Sequence, residues 1–315
     1  MSLKDRAGAV GMPDRRRLRA DVVRIAVPRH PRAAPDALRA TEDHVAGELG
    51  AAGLRVERQL FTWRGREFHN VLGTLDGSDA SRPWVVVGAH FDTVARSPGA
   101  DDNASGVAAL LESARLLARA RPAATVQWVG FNLEEMQSRL GGLRPGREVH
   151  GLGPSRIGSR AYVRRLRASG APVAGALVLE MVGFTGPRQT VPAAVRLVKR
   201  VPETGDFLAA VGDAGSAALL RAFVRTSEGT VGVVGLTVPL RGWVVPDVRR
   251  SDNARFWDDG YPALLLTDTA ELRNPHYHGA GDTPDTMDFA FLARATEAVV
   301  RTVRVLAGPW APRPM

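Results

Sequence analysis

An α/β fold, with helices on both faces of a mostly parallel central sheet in a three-layer αβα arrangement, is what this sequence predicts, on three observations. Short apolar runs such as WVVV at 84–87 and ALVL at 176–179 recur along the chain without polar interruption. Segments with an apolar stripe at helical spacing lie between them. Gly, Pro, Asn and Asp cluster at the boundaries. Strands that are apolar throughout are buried on both sides, and their alternation with amphipathic helices makes a sheet covered on both faces.

Taken in order, residues 1–34 are rich in Arg, Pro and Ala without a sustained period. They are expected to form a short helix and an irregular N-terminal arm, outside a single domain at 35–315. Pro35 and Asp36 offer a helix start, Leu38, Val45, Leu49 and Ala52 a stripe, and Gly53 a stop. Strands are predicted at 54–61 and 68–75, where bulky apolar residues recur. A strand at 84–90, a helix at 105–120, a strand at 125–131, a helix at 159–168 and a strand at 176–181 follow by the same alternation. A helix at 215–225, a strand at 261–266 and a long closing helix at 287–306 complete the series. The stretch 137–156, containing GGLRPGREVHGLGPSR, is too rich in Gly, Pro and Arg for an interior element and reads as a long loop, of the kind that is usually either a functional lid or disordered.

Composition narrows the chemistry. Cysteine is absent from the 315 residues, which excludes disulfides, thiolate metal sites and cysteine nucleophiles together. The net charge of +9 invites a nucleic-acid reading, but apart from Arg15, Arg16 and Arg17 the arginines are scattered, and no nucleic-acid partner is expected. No apolar run approaches the roughly 20 residues a membrane span needs. The start of the chain has basic residues with no apolar stretch after them, so a cytoplasmic location is expected, or secretion if a leader preceded it.

Ligands of open α/β sheets bind beyond the carboxyl ends of the strands. The residues standing there are His90, Asp92, Asp101 and Asp102 after the first central strand, and Glu134 and Glu135 after the next. Glu180 follows the third, and Asp268, His276 and His278 the last. Singly, each has an ordinary reading. A lone histidine is commonly a surface hydrogen-bonder, a glutamate pair a solvated face, and an aspartate before Asn-Ala-Ser-Gly a helix cap. Glu180 is harder to explain, because an unpaired carboxylate beside Val178, Leu179, Met181 and Val182 is costly to bury. Together, several carboxylates at one rim repel unless positive charge lies among them.

With thiolates excluded, imidazoles and carboxylates suit zinc, with manganese or cobalt as alternatives. Two histidines and at least three carboxylates suffice for two ions, one His for each and one carboxylate between. In His90-Phe91-Asp92 the side chains two apart project to one side, so Asp92 is expected to accept the second ring N–H of His90 and fix its tautomer. Of Glu134 and Glu135, one is expected to bind metal and the other to take a proton from metal-bound water.

These residues sit in GAHFDT, GADDNASGVAALLE, FNLEE, IGSRAYV, LVLEMVGF, SDNARFWDDGYPALLLTD and NPHYHGAGDTPDT. In these motifs and their order the chain, from about 41 to 306, resembles the M28 zinc peptidases, co-catalytic metallo-aminopeptidases of the phosphorylase/hydrolase-like fold, in the branch with LEM-x-G. The resemblance implies that 35–315 is a single zinc-peptidase domain with two zinc ions. Its ligands would be His90, Asp102 as the bridge, Glu135, Glu180 and His278, with Glu134 as general base and Asp92 as the partner of His90. It also implies a cis peptide at Asp102–Asn103 and structural roles for Asp101 and His276. The implied reaction is attack by a hydroxide shared between the metals on the first peptide bond of peptides with a free N-terminus. Asn253 and Gly279 depart from the family's usual His and Thr, and the 137–156 segment is longer than usual. Two alternatives stay open: a single-zinc acyl transferase like the glutaminyl cyclases, and a non-catalytic binding protein on the same fold.

Overall fold

The computed structural model of the chain describes residues 11–136, 156–192, 195–196 and 199–312. Its main sheet is built from β1 (Arg55–Trp63), β2 (Arg66–Leu75), β3 (Trp84–His90), β5 (Val126–Phe131), β6 (Val173–Leu179), β7 (Phe207–Asp213), β8 (Gly232–Val238) and β9 (Ala263–Thr267). The strand order is β1-β2-β5-β3-β6-β9-β7-β8, and the short β4 (Ala120–Pro122) and β10 (Trp310–Pro312) pair apart from it. The four central strands β5, β3, β6 and β9 run parallel. Antiparallel pairing begins outside them, at β2 on one side and β7 on the other.

The unbroken apolar runs of the sequence find their reason here. Along β3, Val85 and Val87 enter one core with Leu177, Leu179, Leu264 and Leu266, while Val86 enters the opposite core with Val178 and Leu265. Both faces of a central strand are thus dry, so no polar residue alternates. Over the first face lie α1 (Arg15–Ile25), α2 (Pro35–Ala51), α3 (Gly106–Leu117), α5 (Ala217–Thr226) and α7 (Phe289–Leu306). Over the second lie α4 (Ile157–Ser169) and α6 (Asn253–Asp258), which completes three layers. No helix among the described residues is long and apolar enough to cross a membrane.

The short helix expected within residues 1–34 is α1, and it packs on the domain instead of lying outside it. Leu18, Val22 and Ile25, at i, i+4 and i+7, are wholly buried, and α1 packs against α3 and α7. Arg17 binds Glu112, and Arg115 reaches both Asp21 and Glu48, so three helices are cross-tied. Strands β7 and β8 had no counterpart in the sequence reading. Ala209, Ala210 and Gly212 give β7 little bulk, and β8 is a half-exposed edge strand interrupted by Gly235. Of the loop expected at 137–156, only Arg156 lies among the described residues.

What positions the site is the path out of β3. From there the chain passes through α3 to β5 on one side, then through α4 to β6 on the other. The connections leave in opposite directions at this point, the kind of switch beside which open α/β sheets bind ligands. His90 pairs in register with Phe131, so the residues after β3 and β5 emerge at one level.

Candidate metal centre

His90 closes β3 with its side chain wholly buried. Beyond it the chain turns at Gly99, whose φ of +63° suits glycine, and where an added Cβ would stand 2.2 Å from the Asp102 carbonyl. A kinked turn, Ala100–Ser105, then delivers Asp102, and the Asp102–Asn103 peptide is cis. The Asn103 side chain stitches this turn to the end of β6. It donates to the Leu179 carbonyl at 2.8 Å and accepts from the Met181 amide at 3.1 Å, bracketing Glu180. Asp282 supports the turn from beneath, accepting from the amides of Asp101 at 2.8 Å and Asp102 at 3.1 Å.

The two oxygens of Asp102 face different neighbours. Oδ1 lies 3.4 Å from His90 Nε2, which is itself 3.3 Å from Glu180 Oε1. Oδ2 lies 3.3 Å from His278 Nε2, which is 3.0 Å from Glu135 Oε1. His90, Asp102 and Glu135 also offer atoms that all lie within 4.8 Å of one another. Two ligands of one tetrahedral zinc, each about 2.0–2.1 Å from it, stand about 3.3–3.4 Å apart, so these separations are of the kind a shared ion needs. Asp102 Oδ1 is buried without a hydrogen bond, an orphan that a cation would satisfy. The residues present therefore fit a divalent metal.

Asp92 faces His90 and does more besides. His90 Nδ1 is 3.2 Å from the main-chain carbonyl of Asp92 and 3.6 Å from its carboxylate. The carboxylate also accepts from the amides of Glu134 and Glu135, both at 3.0 Å. One carboxylate thus lies beside the imidazole and satisfies the paired amides of the next turn. That turn, with Leu133 at φ +61°, points Glu134 and Glu135 inward together. Ser251 Oγ donates to Glu180 Oε2 at 2.6 Å, and the Tyr277 ring stacks on His278 with centroids 3.8 Å apart.

The electrostatics reflect buried carboxylates crowded around two imidazoles. Burial above all, with Glu135, Glu180 and Asp252 adding to it against the pull of His90, holds the Glu134 carboxyl well above its usual range. Burial and Asp102 push Glu135 up to about 7. Burial works against a charged imidazole at His278, but Glu135 and Asp102 outweigh it and raise this group to about 11. His90 is raised likewise, burial being overcome by Glu180, Asp102 and Asp92. A divalent ion would remove this strain.

Among residues the sequence reading set aside, Asp101 accepts from Gly183 N and Asn274 Nδ2 and so joins three loops, a structural position. His276 stands edge-on to Phe184, with ring centroids 6.3 Å apart. Asn253 is buried and donates to the Val248 carbonyl at 2.9 Å. Sequence reasoning passed over Ser251, Asp252, Asp282 and Arg29. The first carboxylate of GDTPDT and the Ser-Asp pair before α6 were the only signals for the first three.

A profile described as Peptidase family M28 matches residues 70–303. The uncharacterized protein YfbL of Escherichia coli is 30% identical over 86% of this chain and 82% of its own length. A probable leucine aminopeptidase of Trichophyton verrucosum is 28% identical over 82% of this chain, which spans 60% of that longer protein. Among solved structures, the LapA aminopeptidase of Legionella pneumophila superposes with a TM-score of 0.70 at 15% identity, covering 96% of this chain and 77% of its own. The glutaminyl cyclase of Tannerella forsythia does so at 0.65 and 19%, covering 93% and 99%. Identities this low speak for a shared fold alone. With the profile covering most of the chain and the seven motifs in place, the chain belongs to peptidase family M28.

Proposed function

We propose that this chain is a two-zinc aminopeptidase that removes the first residue of peptides bearing a free N-terminus. The observation that carries the reading is the Asp102 carboxylate, with one oxygen turned to His90 and Glu180 and the other to His278 and Glu135. His90, Glu180 and Asp102 would hold one ion, and His278, Glu135 and Asp102 the other, with manganese or cobalt able to replace zinc. When bound, such ions supply Lewis acidity toward a carbonyl oxygen and make a bound water acidic.

The chain's own groups supply the proton handling. Glu134 takes a proton from the attacking water and delivers it to the leaving amine nitrogen, a role suited to a buried carboxyl held well above its usual range. Asp92 fixes the base by its hydrogen bonds to the amides of Glu134 and Glu135. Ser251 orients Glu180.

The cyclase-like alternative draws on the shared fold, but a single ion would leave half of the His and carboxylate set without a role. A binding protein would need neither the ions nor Glu134. Metal content per chain, measured on protein purified without chelator, separates the three: two equivalents are expected, one favours the cyclase, none the binding protein. Aminoacyl chromogenic substrates should be cleaved, and a chelator should abolish the cleavage.

A further inference from the structure

Arg29 follows α1 in the segment expected to be an arm, yet it is 0% exposed. Its guanidinium makes five hydrogen bonds, every one to a main-chain carbonyl: Nε to Phe91 at 2.6 Å, Nη1 to Ile25, Val27 and Pro98, and Nη2 to Gly99 at 3.0 Å. Its amide donates to Thr93 Oγ1 at 2.9 Å. Among the described residues no carboxylate is hydrogen-bonded to it, and the charges that favour it most are those of Asp102 and Asp92. Burial lowers the guanidinium to about 10, which leaves it a cation at neutral pH.

The carbonyls it gathers are not a random set. Phe91 directly follows His90, and Pro98 and Gly99 shortly precede Asp102, so one planar group holds both ends of the loop between two of the site's side chains. Buried turn carbonyls need donors, and among side chains only guanidinium offers five N–H groups in a fixed plane. Gly99 leaves no slack on the other side, since an added Cβ there would lie 2.4 Å from Thr93 Cγ2 and 3.1 Å from Arg29 Nη1.

We propose that Arg29 is a positioning residue of the metal centre: its guanidinium fixes the spacing between the His90 and Asp102 ends of one loop, so that both side chains are set for a divalent ion before it arrives. This rests on the metal reading above. It also opposes simple electrostatics, because a nearby cation alone would weaken zinc binding, so removing it should help unless the clamp matters more.

The test uses the full-length chain stripped of metal and titrated with zinc against a chromophoric chelator, with thermal melting of the metal-free form recorded alongside. Arg29→Lys, which keeps the charge but not the fork, is expected to raise the zinc dissociation constant about tenfold or more, and Arg29→Met to do the same despite losing a repelling charge. Zinc binding as tight as wild type in either variant, with only a lower melting temperature, would make Arg29 a packing residue and overturn the proposal. Should both variants fail to fold, Thr93→Val loosens the same clamp from its other end. A several-fold weaker zinc affinity is then expected, and an unchanged one overturns the role. A wild-type chain that binds no zinc brings down the metal reading itself, a result distinct from both.

Discussion

His90 and Glu180, on one side of Asp102, stand at the ends of the adjacent parallel strands β3 and β6, whereas Glu135 and His278, on the other, stand in turns. The His90 side chain is closed to solvent, and Glu180 is tied through its amide to the Leu266 carbonyl at 2.9 Å. The His278 side chain is 19% exposed, with φ +56°, and is steadied mainly by the stacked Tyr277 ring. One side is anchored at strand ends and the other in turns, a class of segment that generally opens more readily. An ion held on the strand side should therefore exchange more slowly than one held among the turns.

Three substitutions would break or sharpen that contrast. Asp102→Asn removes the carboxylate common to both sides, and should lower metal content on both together and turnover by roughly a thousandfold or more, read by elemental analysis and steady-state kinetics. Loss confined to one equivalent would show that the two sides do not share it. Glu134→Gln should cut turnover about 10²–10⁴-fold while both equivalents of metal remain, since this side chain lies outside both pairs. Metal loss in that variant would move the base to another residue. His278→Ala should release one equivalent and leave the other as resistant to chelator as in wild type. If the remaining ion leaves as fast as the first, the strand side is no more rigid than the turns.

The sequence disclosed the central sheet because its strands are dry on both faces and leave apolar runs that a surface element would not carry. It disclosed the rim because the polar residues fall where those runs end. What it hid lies where a local period does not apply. Spacing put the Asp92 carboxylate beside His90 but gave no sign that the main-chain amides of the Glu134–Glu135 turn also bind it. Strand β8 escaped notice because an edge strand shows mixed exposure and Gly235 breaks its pattern. Arg29 gave no sign at all: its partners are carbonyls, which every residue has, so nothing in a string of side chains marks them.

Glu135 and His278 meet across 143 residues of chain, and His90 and Glu180 across 90. Neither pair exists until β3, β5 and β6 are assembled and the 270s loop has docked, so ions held there would find no site on a half-folded chain. They would then act late, as a latch on the finished architecture that retards its opening more than it hastens its formation.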